Sequence, residues 1–174
     1  GVNAAPTVNN TGDPTLDTIT EDETGNAGNT VAEILAGVAD DPDGDSNATT
    51  LGLALTGITE DAGTGKWQFS TNAGSTWTDV GSVSETTAIL LETDDLLRFV
   101  PDTIVGGTGT ITYRAWDGTD GSVSGDVLNL TAEAGGGTSA FSTDSETSTI
   151  TVTDVQDGID AVDDGSVGTP LIAS

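Results

Sequence analysis

The chain has 174 residues and a formal charge of -26, with 29 Asp and Glu set against only Lys66, Arg98 and Arg114. Three scattered cations cannot release the counterions of a polyanion, which excludes nucleic acid as a partner and disfavours an anionic membrane surface. There is no Cys and no His, so disulfides, thiolate and imidazole catalysis and Cys/His zinc sites are excluded, and any bound metal must be hard and oxygen-liganded.

Low hydrophobicity with high net charge is also the mark of disorder. Against it stand apolar runs that alternate as strands do, in a chain rich in Thr, a strand former, and punctuated by 24 Gly. No stretch approaches 18 apolar residues, and there is neither an initiator Met nor a leader, which suits a soluble mature chain or a fragment of a longer one.

Residues 1–14, with Pro6, Asn9, Asn10, Gly12 and Pro14, read as an incoming linker. A first strand is expected at 16–20, closed by Glu21-Asp22-Glu23. The segment 30–36 has helix formers at its centre and Gly37 after it, and admits either one helical turn or an extended stretch. An acidic loop at 40–49 precedes Leu51, Leu53 and Leu55, which alternate with small residues as a half-buried strand does. Trp67 and Phe69 share a face, Asn72 to Gly74 can turn, and Trp77 with Asp79 begins the return, giving a β-hairpin around residues 66–80. Further strands are expected at 88–91, 96–100, 111–116, 127–130 and 149–153. The 111–116 strand places Ile111, Tyr113 and Ala115 on one face and Thr112, Arg114 and Trp116 on the other. Eight or nine short strands between Gly, Asp and Asn turns fit an all-β, Greek-key β-sandwich of the immunoglobulin-like kind over residues 15–155. Residues 156–174 read as an outgoing linker or the start of a next module. Its apolar stretch Thr169-Pro170-Leu171-Ile172-Ala173 is either a docking segment or a strand cut off from that module.

The chemistry-bearing residues are acids. Asp41, Asp43 and Asp45 alternate, so a loop curling around an ion would converge their carboxylates, and the alternative is a solvated acidic turn. Carboxylates about 4–6 Å apart repel by roughly 1 kcal/mol per pair in water, and a divalent cation reverses the sign. The loop is no EF-hand, because twelve positions counted from Asp41 or Asp43 end on Gly52 or Ala54 rather than Glu. The acid clusters at 21–23, 40–45, 92–95, 117–120 and 154–164 all fall in expected turns and linkers, which in a sandwich collect at its two ends.

Three pieces of the chain resemble, in order, the cadherin-like repeat. Residues Ala39 to Asn47 look like the loop in which an Asp-x-Asp pair and a following Asn bind calcium. Tyr113 to Gly121 resembles the Ala-x-Asp-Gly-Gly turn ahead of the final strand, and Thr149 to Asp157 resembles that strand running into an Asp-x-Asn-Asp linker, with Gln156 and Gly158 departing from the pattern. Asn3-Ala4-Ala5-Pro6 looks like the tail of such a linker. The Trp-x-x-Ser-x-x-x-Gly-x-x-Trp hairpin and the element Arg98 to Asp102 are similar to tandem repeats of giant secreted bacterial adhesins and biofilm-associated proteins. That resemblance implies a cadherin-like fold, Ca2+ as cofactor, an extracellular or bacterial cell-surface location, and a non-catalytic spacer role in adhesion with neighbouring repeats of the same polypeptide, or like modules, as partners. The ligands it implies are Glu21, Asp22, Asp41, Asp43, Asp45, Asn47, Asp117, Asp120, Asp154 and Asp157.

Residues 70–77 also resemble the Asp-box of sialidase-like propellers, with Asn72 in place of Asp. A single copy implies only a hairpin turn. Trp67, Trp77 and Trp116 are candidate sugar-stacking platforms, but in a chain this poor in aromatics they are expected in the core or hairpin. Arg98 and Arg114 are expected in structural ion pairs, with stacking on Trp116 or Trp67 a lesser alternative. No enzyme is expected, since the acids sit in exposed turns and no nucleophile–base pair is discernible. The other readings are a carbohydrate- or protein-binding module with an exposed Trp that meets a glycan or surface ligand, and a self-assembling filament or surface-layer subunit.

Overall fold

A computed structural model of the protein describes residues 1–43, 51–60 and 65–156. The acidic loop after Asp43 and the outgoing segment from 157 on, with Asp45, Asn47, Asp157 and the apolar tail, lie outside the described residues.

Twelve strands and one short helix are present among those residues. In chain order they are β1 (Thr7–Val8), β2 (Ile19–Thr20), β3 (Asn29–Thr30), α1 (Val31–Leu35), β4 (Ala39–Asp40), β5 (Gly52–Glu60), β6 (Gly65–Ser70), β7 (Thr78–Asp79), β8 (Ala88–Leu91), β9 (Leu96–Pro101), β10 (Gly107–Trp116), β11 (Val127–Leu128) and β12 (Glu146–Thr153). They form a six-stranded sheet ordered β11-β8-β5-β10-β12-β2, a four-stranded sheet ordered β3-β9-β6-β7, and the pair β1-β4. All neighbours are antiparallel except β2, which runs parallel to β12. The result is a sandwich-like β domain.

The main core lies between the two larger sheets. Leu53, Leu55, Leu91, Ile111, Tyr113, Ile150 and Val152 from the six-stranded sheet meet Trp67, Leu97 and Phe99 from the four-stranded one, and α1 adds Val31, Ile34 and Leu35. Trp67 is fully buried and meets Phe99 edge-on, with ring centroids 5.2 Å apart. Its indole lies over Gly109 of β10, where a Cβ would come within 3.2 Å of Nε1 and 2.9 Å of Phe99. That close approach explains a Gly in a strand interior. Tyr113 donates to or accepts from Ser148 at 2.9 Å, and burial pushes its phenol up to about 12.

A second cluster packs on the opposite face of the six-stranded sheet, where Ala54, Ala88, Leu90 and Trp116 meet Leu130, Ala140 and Phe141. The segment 117–145 therefore covers that half of the outer face. This corrects the expectation of a half-buried strand at 51–55, because β5 is buried on both faces there. The uncovered half carries hydroxyl pairs instead, Thr59 with Thr110 at 2.7 Å and Thr112 with Thr147 at 2.9 Å.

The helical alternative holds at 31–35. Thr30 Oγ1 accepts from the Glu33 N–H at 3.1 Å while Glu33 Oε2 accepts from the Thr30 N–H at 2.8 Å, a reciprocal cap worth about 1 kcal/mol. The expected strand at 16–20 shortens to β2 plus an isolated bridge from Thr15 to Thr149, and that at 127–130 shortens to β11. The hairpin forms, pairing Gln68 with Asp79 and Phe69 with Thr78. Its turn is closed by Ser70 Oγ, which accepts from the Gly74 N–H at 2.9 Å, and by Asn72 Oδ1, which accepts from the Thr76 N–H at 2.9 Å.

The basic residues depart from expectation in part. Arg114 makes its ion pair, with Glu85 at 3.5 Å. Arg98 makes none among the described residues: it donates to Gln68 Oε1 and the Asn26 carbonyl and stacks 3.9 Å over Trp77, rather than over Trp67 or Trp116. Those two rings are enclosed in the two cores, so neither offers a face to a sugar or a guanidinium. Trp77 is half-buried beside the hairpin turn.

Candidate functional site

Strand register sorts the acids onto two ends. β10 runs from Gly107, paired with Val152, to Trp116, paired with Gly52. Segments that continue past Trp116, Leu91 or Asp40 therefore meet at one end, and those around Thr153 and Thr20 meet at the other.

At the first end the N-terminal segment is gripped by carboxylates. Asn3 Nδ2 donates to Asp117 Oδ2 at 2.9 Å, the Ala4 N–H donates to Asp43 Oδ2 at 2.8 Å, and the Asp43 N–H donates to Asp41 Oδ1 at 3.1 Å. Asp117 Oδ1 is held by the Thr119 N–H and hydroxyl at 2.8 and 2.6 Å. A shallow pocket of about 220 Å³ opens beside it between Glu92, Trp116, Asp117 and Ser122. Residues 1–14, read as a linker, thus supply β1, which pairs with β4, and the buried Ala5 and Val8.

Asp95 sits beneath this end, buried, and accepts from the Ser124 hydroxyl and the Glu92 N–H. Burial pushes its carboxyl above the ordinary value of 3.8, against those hydrogen bonds, and the neighbouring charges of Glu92 and Asp94 push it the same way. The folded state then holds this proton more firmly than the unfolded chain. Stability is withdrawn as pH rises from about 3.8 through the raised folded value, and the deficit remains at pH 7. Asp95→Asn is expected to raise the melting temperature at pH 7 and to change it little at pH 3. Equal shifts at both pH values would assign the effect to packing instead.

Asp120 accepts from Trp116 and Ser122. Burial would raise its carboxyl, but hydrogen bonds from Ser122 and from Trp116 Nε1, the latter at 2.9 Å, outweigh this and hold it below the ordinary range. Its visible role is to satisfy the indole of a buried Trp.

At the second end Glu21 is buried while Asp22 and Glu23 are exposed. Its N–H donates to the Thr153 carbonyl at 3.0 Å, and its Oε1 accepts from the Val155 N–H at 3.0 Å, so it ties down the chain as β12 ends. Asp154 is exposed next to it.

The structure therefore brings together Asp41, Asp43 and Asp117 around Asn3 and Ala4, and brings Glu21 to the segment holding Asp154. Asp22 is exposed, and Asp120 accepts from Trp116 and Ser122. The donors suit a hard cation in kind, but among the described residues no three acids converge as a metal-binding group. Asn3 is a residue that the reading of the acids did not single out as a site residue, because only tertiary contact sets its amide against a carboxylate 114 positions away. No known protein family, curated protein or solved structure matches the chain.

Proposed function

We propose that this chain is a non-catalytic, calcium-stabilised extracellular repeat, a Greek-key sandwich of the cadherin-like kind that acts as a stiff spacer in a bacterial surface adhesin. One observation carries the reading: the carboxylates at each end grip the chain as it enters and leaves the sandwich, through Asn3 and Ala4 at one end and Val155 at the other. Such an arrangement sets the direction in which a neighbouring repeat would continue.

The ends also carry apolar side chains suited to burial against a neighbour. Ile104, Val105 and Val155 are exposed around the second end, where Gly106 lies against the Asp154 N–H, and Val2 is exposed at the first. Calcium would neutralise the facing carboxylates, which otherwise repel across the junction. Asp41, Asp43 and Asp117 would hold it at the first end, with Asp45 and Asn47 completing the set. Glu21 and Asp154, with Asp157, would do so at the second.

An ion bound only by the ordered state adds about 2.7 kcal/mol at a hundredfold excess over its dissociation constant. Extracellular calcium sites have constants of about 0.1–1 mM. A chain of this length shifts by roughly 2–4 °C per kcal/mol, so saturating calcium is expected to raise the melting temperature by about 5–10 °C over the chelated protein, with no such rise from equal ionic strength in sodium chloride. Thermal melts of the full chain in calcium and in chelator decide it, and indifference to calcium discards the proposal.

A further inference from the structure

The half of the six-stranded sheet that segment 117–145 leaves uncovered is built from one residue type. Over 57–60, 107–112 and 147–153, β5, β10 and β12 turn one row of side chains to the core, Ile58, Ile111, Ile150 and Val152 among them. Every side chain turned the other way along these stretches is a threonine, Gly57 apart. Strand register sets them in rows: Thr110 lies between Thr59 and Thr149, and Thr112 between Gly57 and Thr147. Thr151 and Thr153 extend the face along β12, the latter beside β2. Glu60, at the end of β5, serves the opposite sheet instead, where its Oε1 accepts from the Trp67 N–H at 2.8 Å.

The chain carries 29 acids, and none stands in these outward rows. The hydroxyls of the face are in good part satisfied within it. Those of Thr59 and Thr110 bond at 2.7 Å, those of Thr112 and Thr147 at 2.9 Å, and that of Thr153 donates to the Ile19 carbonyl at 3.2 Å. Hydroxyls that keep their partners can be covered without the penalty of an unpaired buried polar group.

Charge selects the occupant. A cationic partner would be drawn to the acid clusters of the ends and loops rather than to an uncharged face, and an apolar one finds no large side chain here to bury. A second copy of the chain, itself at -26, is opposed wherever carboxylates face it and meets none on these rows. The two faces also match in shape, because sheets of the same twist pack aligned at about 30° and about 10 Å apart, and a two-fold axis sets row against row. Four strands, β2 included, about 4.8 Å apart and roughly 20 Å long cover on the order of 400 Å². That is half of the roughly 800 Å² that each partner gives to a stable interface, so the contact is weak on its own.

We propose that two copies of this chain associate face to face through the threonine surface of β5, β10 and β12. The proposal does not rest on calcium or on the spacer role, and a chelator removes any contact that cations bridge between the ends. It is tested on the full chain, in chelator, by sedimentation equilibrium and by amide NMR over a dilution series. A monomer–dimer equilibrium with a dissociation constant on the order of 1 mM is expected. It tightens as salt rises from about 0.01 to about 0.15 M, which shortens the reach of the net charge from about 30 to about 8 Å. Dilution is expected to shift the amides of 57–60, 107–112 and 147–153 most. Thr151→Asp, at an exposed position, is expected to weaken association tenfold or more while the melting temperature stays near that of the parent. Thr149→Val, which keeps the branched shape without charge, and Thr78→Asp, which puts the same charge on β7 of the other sheet, are each expected to leave it within twofold. A monomer at every concentration, association that salt weakens, dilution shifts confined to the two ends, or equal weakening by Thr78→Asp and Thr151→Asp would each overturn the proposal.

Discussion

Replacing Arg114 by Met is expected to cost about 3 kcal/mol and to lower the melting temperature by roughly 6–12 °C. The guanidinium sits under the covering segment, where Nε donates to the Ser142 carbonyl at 2.7 Å and Nη1 to the Glu133 carbonyl at 3.0 Å, with Phe141 5.9 Å away. Met fills much of the space but donates nothing, so two carbonyls lose their donor. The ion pair is the lesser part. Glu85 is half exposed and 3.5 Å away, and pairs of that kind contribute about 0–1 kcal/mol. Glu85→Gln is therefore expected to lower the melting temperature by less than about 4 °C. Thermal melts of both variants separate the contributions. If Glu85→Gln matched Arg114→Met, the tie between the covering segment and the sheet would be ionic, and this account of it would fail.

Trp67→Ala is expected to cost about 3–5 kcal/mol, a drop of roughly 6–20 °C by the same measure. The ring is wholly enclosed, its Nε1 donates to the Thr59 carbonyl at 3.1 Å, and no neighbour can fill the space, since Gly109 has no side chain to extend. Trp77→Ala removes the face on which Arg98 lies, and a half-exposed cation–π contact is worth about 0.5–1 kcal/mol. Melting curves of the two variants should differ several-fold in their displacement. Equal displacement would mean that Trp77 and not the inter-sheet space anchors the four-stranded sheet.

The fold was legible where local pattern and tertiary environment agree. The strands expected at 96–100 and 149–153 form as 96–101 and 146–153 and alternate because each buries its inward side chains against the opposite sheet, whereas 88–91 is apolar throughout and is buried on both faces. At 30–36 the sequence left a helical turn and an extended stretch open, and the reciprocal cap between Thr30 and Glu33 is what decides for the helix. The two-residue strands β1 and β4 were not legible, because so short a pairing carries no period and exists only where a neighbour supplies the partner. The candidate site divides in the same way. The alternation of Asp41, Asp43 and Asp45 announces hard oxygen donors, and Asp117 joins them only through the family resemblance. That Asp43 holds the Ala4 N–H, that Asp120 serves Trp116, and that Asp17 meets Asn29 follow from long-range contact alone.

Composition and pattern by themselves dictate an acidic, all-β chain without thiol or imidazole chemistry, because net charge, side-chain alternation and turn residues act locally and need no partner. Only the tertiary structure decides that residues 117–145 cover one half of a sheet, that two tryptophans vanish into separate cores while the third stays half-buried under Arg98, and which acids meet at which end. Those outcomes depend on strand order and on where glycines such as Gly109 let a ring approach the backbone, and neither is written in any local stretch of the chain.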